Sequence, residues 1–389
     1  MTQNKAQLKI LCPEDLNPRV CVVIGTRPGI VMFSPIIRQL EKCGADFFVL
    51  HTGQHYSHNM DGVLFTDLSL PTPRYRLESV QHCKYHGEQT AEMLRGIEEI
   101  LLDERPRVVL VGGDANTNLA GALAARKLHL TVGHIEAGER SFDWSMPEEH
   151  NRVMIDHISD YLFATGEKSR NNLIREAIRG RIVVSGNPIV DACYQNLELA
   201  RRRCAPERFG VARKQYVLVT LHREENTDQP ARLKSALNAM HAVGVELGLP
   251  VLLFAHPRTR KRIQELGFAG ELGKSIRIEE PAGYLDFLDL LASTALVCTD
   301  SGGVQQEACI VKTPALTLRD NTEWTETVEM GANVLVGVDP SAAIEGARTM
   351  IRKQGDWAQP FGDGTAAKQI VSTVLEEIAM TAAALPRIH

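Results

Sequence analysis

Three carboxylates stand where a chain of alternating strands and helices brings loop residues together. Asp114 follows the apolar run VVLVGG, Glu136 follows TVGHI, and Glu148 lies in SMPEEHNR. Acids converging on one sheet edge suit a reaction that takes a proton from one face of a carbon and returns one to the other. Like charges held close raise one another's pKa, which lets a carboxylic acid work near neutral pH. Glu148 and Arg152 are four residues apart and share a helix face. Each acid also has a purely structural reading. Ser145 and Glu148, with Pro147 in the first turn, spell the S-x-x-E of a capping box. Asp114 can close a strand-end turn, and Glu136 can pair with Arg140.

A second group of residues suits an anion. Asp300-Ser301-Gly302-Gly303 follows the strand-like ALVCT and precedes a helical pattern through Gln305, Gln306 and Glu307. Two glycines there allow close backbone approach, and a helix N-terminus offers free N–H groups to a phosphate. A diphosphate suits such a place; Ser301 as the N-cap of an ordinary turn is the plain alternative. Glu307 holds ribose hydroxyls if it faces a cleft and is otherwise a surface glutamate. Arg27, in GTRP, carries a fork of donors that matches phosphate oxygens, or lies on the surface. His222 and Arg223 end YVLVT in LHREEN, where a histidine can bind phosphate, move a proton or serve as a structural hydrogen-bonder. His256, in FAHPRT, has the same alternatives.

The elements that must position these residues alternate regularly. RVCVVIG, DFFVLHTG, RVVLVGG, LTVGHIE, DYLFAT and RIVVSGN are strand candidates between Val20 and about Ala200, separated by helical patterns. That is the signature of βαβ units on a parallel sheet. A polar, basic stretch from Arg201 to Gln215, with Pro206 and Gly210, reads as a linker. YVLVTLH, PVLLFAH, SIRIEE, ALVCTD, TPALTL and NVLVGV then form a second cycle, and a long helical pattern runs from about Gly364 to Leu385. The reading is α/β, with two doubly wound Rossmann-like domains, residues 1–200 and 201–364, and a helix in 365–389 packing back on the first. A chain of 389 residues exceeds one hydrophobic core, which stops growing near ~250–300 residues. Ligands of such sheets bind in the crevice outside the carboxyl ends of the strands, and here the cleft lies between the domains. The loops to inspect therefore also include Gly53-Gln54-His55.

Composition narrows the function classes. With 44% hydrophobic and 23% charged residues the chain is an ordinary globular one, and a net charge of -5 argues against nucleic acid as a partner. The basic run Arg201 to Arg203 reads as a solvated helix end. Eight scattered cysteines show no C-x-x-C pair and no metal-ligand spacing, so they read as small buried hydrophobes and no metal site is expected. No apolar run approaches the ~18 residues of a membrane span, and the N-terminus lacks a signal-peptide core. A soluble, cytoplasmic protein is expected.

Taken together, the motifs resemble those of the non-hydrolysing UDP-N-acetylglucosamine 2-epimerases, which have the GT-B fold. The match runs along essentially the whole chain, through GTRP at Gly25, HTGQH at His51, GGD at Gly112, HIEAGERSFD at His134, MPEEHNR at Met146, SGNPIVDA at Ser185, LHREEN at Leu221, TDSGGVQQEA at Thr299 and LRDNTEW at Leu318. The resemblance implies inversion of a UDP-sugar at carbon 2. Anti elimination of UDP gives an enzyme-bound 2-acetamidoglucal, and UDP adds back with a proton delivered to the opposite face. On this resemblance Asp114, Glu136 and Glu148 are the acid–base residues, joined by His222. Arg27, His222, Ser301, Gly302 and Gly303 hold the diphosphate, Glu307 the ribose, and Arg152 the region around Glu148. Tyr284 or Phe287 lies against the uracil, and Arg319 and Glu323 belong to a recurrent cleft-facing motif. No cofactor is implied, since the leaving group stays bound and is reused, and a homodimer is.

Some positions depart from the family pattern. Gly29 and Met32 stand where a glutamate and a lysine are usual, Gly112 replaces a histidine or glutamine, and Glu139 replaces a leucine in EAGLR. They point to a modified sugar, a specialised pathway or altered regulation. A hydrolysing epimerase releasing UDP and N-acetylmannosamine, and a UDP-sugar-binding protein without turnover, are the alternative readings.

Overall fold

β-branched runs buried on both faces set the architecture of this computed structural model, which describes residues 20–54, 58–268, 276–353 and 355–384. His55 and the last residues of the C-terminal segment lie outside the described residues. Strands β1 (Val20–Ile24), β2 (Phe47–His51), β3 (Tyr75–Arg76), β4 (Val108–Gly112), β5 (Thr131–Ala137), β6 (Tyr161–Ala164) and β7 (Arg181–Val184) form one parallel sheet, ordered β3-β2-β1-β4-β5-β6-β7. Strands β8 (Val217–Leu221), β9 (Val251–Ala255), β10 (Ile276–Glu279), β11 (Leu296–Thr299), β12 (Ala315–Thr317) and β13 (Asn333–Leu335) form a second, ordered β10-β9-β8-β11-β12-β13. The strand candidates miss only β3, because two residues carry no alternation to detect.

Every residue of β1 is buried, since helices cover both faces of a parallel sheet. Val20, Val22 and Ile24 join one core with Ile30, Phe33 and Ile36 of the helix Arg27–Lys42. Cys21 and Val23 join another with Met93, Ile97 and Leu101 of the helix His86–Glu104. In the second sheet, Val217, Val219 and Leu221 face one core, and Leu218 with the preceding Tyr216 faces the other.

The strand order reverses between β1 and β4 and again between β8 and β11. At such a switch point the loops after two adjacent strands diverge and leave a crevice at the carboxyl edge. Those loops begin at Gly25 and Gly113 in the first sheet and at His222 and Asp300 in the second.

The helix Ala366–Ala384 returns to the first sheet, where Ile370, Val371, Val374 and Ile378 join the core around Arg27–Lys42. Asp191 accepts the N–H groups of Ala366 and Ala367 at 3.2 and 3.0 Å, so a carboxylate satisfies the positive end of that helix. The stretch read as a linker contains a short helix, Ala205–Arg208, whose first N–H meets Asp289 of the second half at 2.9 Å. Among the described residues no helix is long and apolar enough to cross a membrane.

Gly25, where β1 hands over to Arg27, has no room for a side chain: a Cβ there would overlap the hydroxyls of Thr52 and Thr117, which are bonded to each other at 2.7 Å. We expect Gly25→Ala to destabilise the fold by about 1–3 kcal/mol through overpacking. An unchanged urea midpoint would show that the site gives way freely.

Candidate active site

One cavity of about 650 Å³ opens between the carboxyl ends of the two sheets. Arg27, Asp114, Glu136 and Arg152 line it from the first sheet, and His222, His256, Tyr284, Phe287, Ser301, Gly302, Gly303, Glu307 and Glu323 from the second. Glu148 and Arg319 do not line it. Glu148 is exposed in the first turn of the helix Pro147–Ile158. Arg319 is buried and bonds Glu323 at 2.8 Å, reaching the cleft through that carboxylate.

On the first sheet the chain is bent to present its acids. The pairing of β5 with β6 slips between Ile135 and Ala137, and Glu136 adopts a φ of 68°, a left-handed conformation that costs a residue with a Cβ roughly 1–2 kcal/mol. Gly113, with φ 81°, makes the turn that delivers Asp114. Arg152 donates through Nη2 to Asp114 and through Nη1 to Glu149, the latter at 2.8 Å. Asn151 donates to the Asp114 carbonyl at 2.8 Å. Burial pushes Glu136 up to about 8; the charges of Asp114 and Glu139 add to the rise, while Arg152 and Asn187 oppose it. A carboxyl group so tuned can both give and take a proton near neutral pH.

Two structural alternatives for these acids fall away. The capping box does not form, because Ser145 gives its N–H and hydroxyl to Asp143 Oδ1, at 3.0 and 2.6 Å, and Met146 becomes the N-cap residue. Arg140 pairs with Asp156 and Glu176, at 2.8 and 2.6 Å, rather than with Glu136.

Behind the acids lies a buried polar network. His134 of β5 meets Asp156 through Nδ1 at 2.7 Å and the Gly113 carbonyl through Nε2 at 3.1 Å. Both facing groups are acceptors, so the ring is held between the two loops. Burial alone would raise the pKa of Asp156, but His134 and Arg140 hold it below its ordinary value. Glu149, Asn151, Asp156 and His134 were not among the candidates. Glu149, Arg152 and Asp156 recur at i, i+3 and i+7, an inward stripe of charge on the helix Pro147–Ile158, and that period is the signal that finds them.

The second sheet offers positive charge and free N–H groups. Asp300, wholly buried, accepts the N–H groups of His222 and Arg223 at 3.1 and 2.9 Å and holds His222 Nδ1 at 3.0 Å, which leaves Nε2 for a ligand. Ser301 caps the helix Gly302–Ile310, and the N–H groups of Gly302 and Gly303 have no acceptor among the described residues. A Cβ at Gly302 would overlap Glu323 and stand 3.0 Å from Trp324 Nε1, so packing demands glycine there, whereas the space around Gly303 is open. Glu323 itself is held below its ordinary pKa, against burial, by Arg319 and Arg223.

Across the cleft Arg27, in the first turn of its helix, has no carboxylate partner among the described residues. Burial, and then the charges of His222, Arg258 and Arg27, lower the pKa of His256, which marks a positive field around it. Phe287 meets Phe254 edge to face at 6.3 Å, forming an apolar corner with Pro281 and Ala282. Tyr284 instead lies beside Glu307 and Cys193, its buried hydroxyl without a hydrogen-bond partner among the described residues, and burial pushes Glu307 up to about 7.

A family model described as UDP-N-acetylglucosamine 2-epimerase matches residues 38–375. The chain belongs to that family. It is 49% identical to the UDP-N-acetylglucosamine 2-epimerase of Methanocaldococcus jannaschii, over 91% of this chain and 98% of that one. A Pseudomonas aeruginosa protein, UDP-2,3-diacetamido-2,3-dideoxy-D-glucuronate 2-epimerase, is 41% identical over 90% of this chain and 98% of its own. The crystal structure of the M. jannaschii enzyme in complex with UDP-GlcNAc and UDP aligns with a TM-score of 0.84 and 48% identity, covering 92% of this chain and 99% of that one. The paired parallel sheets are the GT-B arrangement of these epimerases, and the chain is an isomerase.

The departures from the epimerase pattern have local explanations. A Cβ at Gly112 would lie 2.9 Å from Phe33 Cε2 and 3.0 Å from Met32 Sδ, so the glycine and the methionine fit one another. Glu139 is buried and accepts from Ser169 Oγ at 2.8 Å and from the Thr165 hydroxyl. It acts as a structural acceptor whose charge is also felt by Glu136.

Asp156 sets a test of the network behind the acids. Its folded pKa is depressed, so its contribution to stability is complete above the unfolded carboxylate value of about 3.9 and is lost as pH falls through the folded value. We expect Asp156→Asn to be less stable at neutral pH and to flatten that acid-side fall in urea titrations. A parent-like pH dependence in the variant would remove Asp156 as its source.

Proposed function

We propose that the chain interconverts UDP-N-acetylglucosamine and UDP-N-acetylmannosamine without releasing free sugar. The observation that carries this reading is the polarity of one cleft. Two unlike acids, Asp114 paired to Arg152 and Glu136 pushed up to about 8, face a positive rim of Arg27, His222 and the Gly302 and Gly303 N–H groups. A diphosphate on the rim directs the sugar toward the acids. A cavity of about 650 Å³ suits a nucleotide sugar. Phe287 and Phe254 form the wall for uracil, and Glu307 is the partner for ribose.

The reaction then follows from the placement. One acid takes the proton from carbon 2 while the bond from carbon 1 to the UDP oxygen breaks. The carbon–hydrogen electron pair becomes the double bond of the 2-acetamidoglucal, and the carbon–oxygen pair leaves with UDP. The rim keeps UDP in place. A second acid returns a proton to the other face of carbon 2 as the UDP oxygen reattaches at carbon 1. The P. aeruginosa relative motivates a second reading, a UDP-2-acetamido sugar with further substituents, which competition between the two substrates tests. The reading includes a cytoplasmic homodimer, and sedimentation of the purified protein tests the assembly.

Proton NMR in deuterated water with UDP-N-acetylglucosamine is the primary test. We expect exchange at carbon 2 and a UDP-linked manno epimer. Free sugar plus UDP would place the chain among hydrolysing enzymes, and bound UDP-sugar without product would make it a binding protein.

Asp114→Asn and Glu136→Gln should each lower kcat by about 10²–10⁴ while UDP affinity persists. Glu148→Gln separates the resemblance from the observed exposure. A comparable loss at unchanged stability assigns it to the acid–base set; normal turnover removes it.

A further inference from the structure

We propose that Glu149 is a positioning residue for the acid pair, acting through Arg152 without touching the sugar. Glu149 is 1% exposed and does not line the cavity. Its Oε2 accepts the Ser141 N–H and hydroxyl, each at 2.9 Å, and Arg152 Nη1 at 2.8 Å, while Oε1 accepts the Phe142 N–H at 3.0 Å. The carboxylate therefore ties the loop after β5 to the helix Pro147–Ile158. A guanidinium is a rigid planar fork, so fixing one arm on Glu149 aims the other at Asp114.

Charge follows the same geometry. Arg152 hydrogen-bonds Asp114 and Glu149 but not Glu136. The groups facing Glu136 are Asp114 after β4, Glu139 on its own loop, Arg152 from the helix, and the neutral Asn187 after β7. The charge of Arg152 favours ionised Glu136, and the carboxylate of Glu149, held on the same guanidinium, offsets part of that field. Neutralising Glu149 removes the offset, and Glu136 then ionises at lower pH.

This inference rests on the acid-pair reading above. The experiment compares kcat–pH profiles of the full-length parent, Glu149→Gln and Glu149→Asp, with UDP affinity measured in parallel. In Glu149→Gln we expect kcat to fall about 10–100-fold, as for outer-shell partners of site residues, with UDP affinity within about twofold. The profile limb that vanishes in Glu136→Gln should move to lower pH. Glu149→Asp keeps the charge and should leave that limb in place, and it decides the matter alone if Glu149→Gln does not fold. An unmoved limb in Glu149→Gln, or a displaced limb in Glu149→Asp, overturns the inference. Turnover retained in Asp114→Asn and Glu136→Gln would instead sink the acid-pair reading itself.

Discussion

Two carboxyl groups, Asp114 and Glu136, facing one cleft are the constraint around which the first sheet is built. Removing a carboxylate from water costs several kcal/mol unless charge or hydrogen bonds compensate. Asp114 and Glu136 meet that demand differently. Asp114 takes Arg152 as partner, whereas Glu136 has, among the described residues, a distant amide and answers by holding its proton to higher pH. The strained φ at Glu136 persists because its neighbours are locked, with Ile135 and Ala137 both paired to β6. His134 bonds across to the Gly113 carbonyl, so the loops after β4 and β5 are fixed to one another and the separation of the two acids is set by the sheet.

Each sheet contributes one kind of chemistry. The reversal at β1 and β4 projects acids and Arg27, which has no carboxylate partner among the described residues, and the reversal at β8 and β11 projects a histidine, a buried aspartate and a helix N-terminus. Asp300 does for the second sheet what Asp156 does for the first. It lies behind the reactive surface, collects N–H groups from a loop, and fixes a histidine. Both aspartates are held ionised against burial by the donors around them, so the loops they gather are bound by charge-assisted hydrogen bonds.

Most of the strands were legible because a parallel sheet covered on both faces writes itself as short β-branched runs. The residues at the ends of those runs fell at the crevice because strand order, not side-chain detail, decides where the crevice is. Burial was not legible where one residue of phase matters. Glu148 and Glu149 are adjacent, and the start of their helix determines which faces inward. Pro147 allowed a start that would make Ser145 the cap, but Asp143 captures that serine in a local turn and the helix begins one residue later. Arg319 stands one step back from the cavity. A cleft-facing motif can contain both a lining residue and the residue that holds it, and packing puts Glu323 on the cavity and Arg319 behind it.

The departures from the epimerase pattern change the packing and the charge of the first-sheet wall. Met32 fills space that a side chain at position 112 would need, so the two changes are sterically one. The exchange leaves the first-sheet wall with Arg27 and Arg152 as its cations, and Arg152 is engaged by Asp114 and Glu149. Among the described lining residues, Arg27 is then the first-sheet cation without a carboxylate partner, against His222, Arg223 and the N–H groups of Gly302 and Gly303 on the other wall. The positive groups of the cleft are therefore gathered chiefly on the second sheet, opposite the Asp114 and Glu136 carboxyl groups of the first.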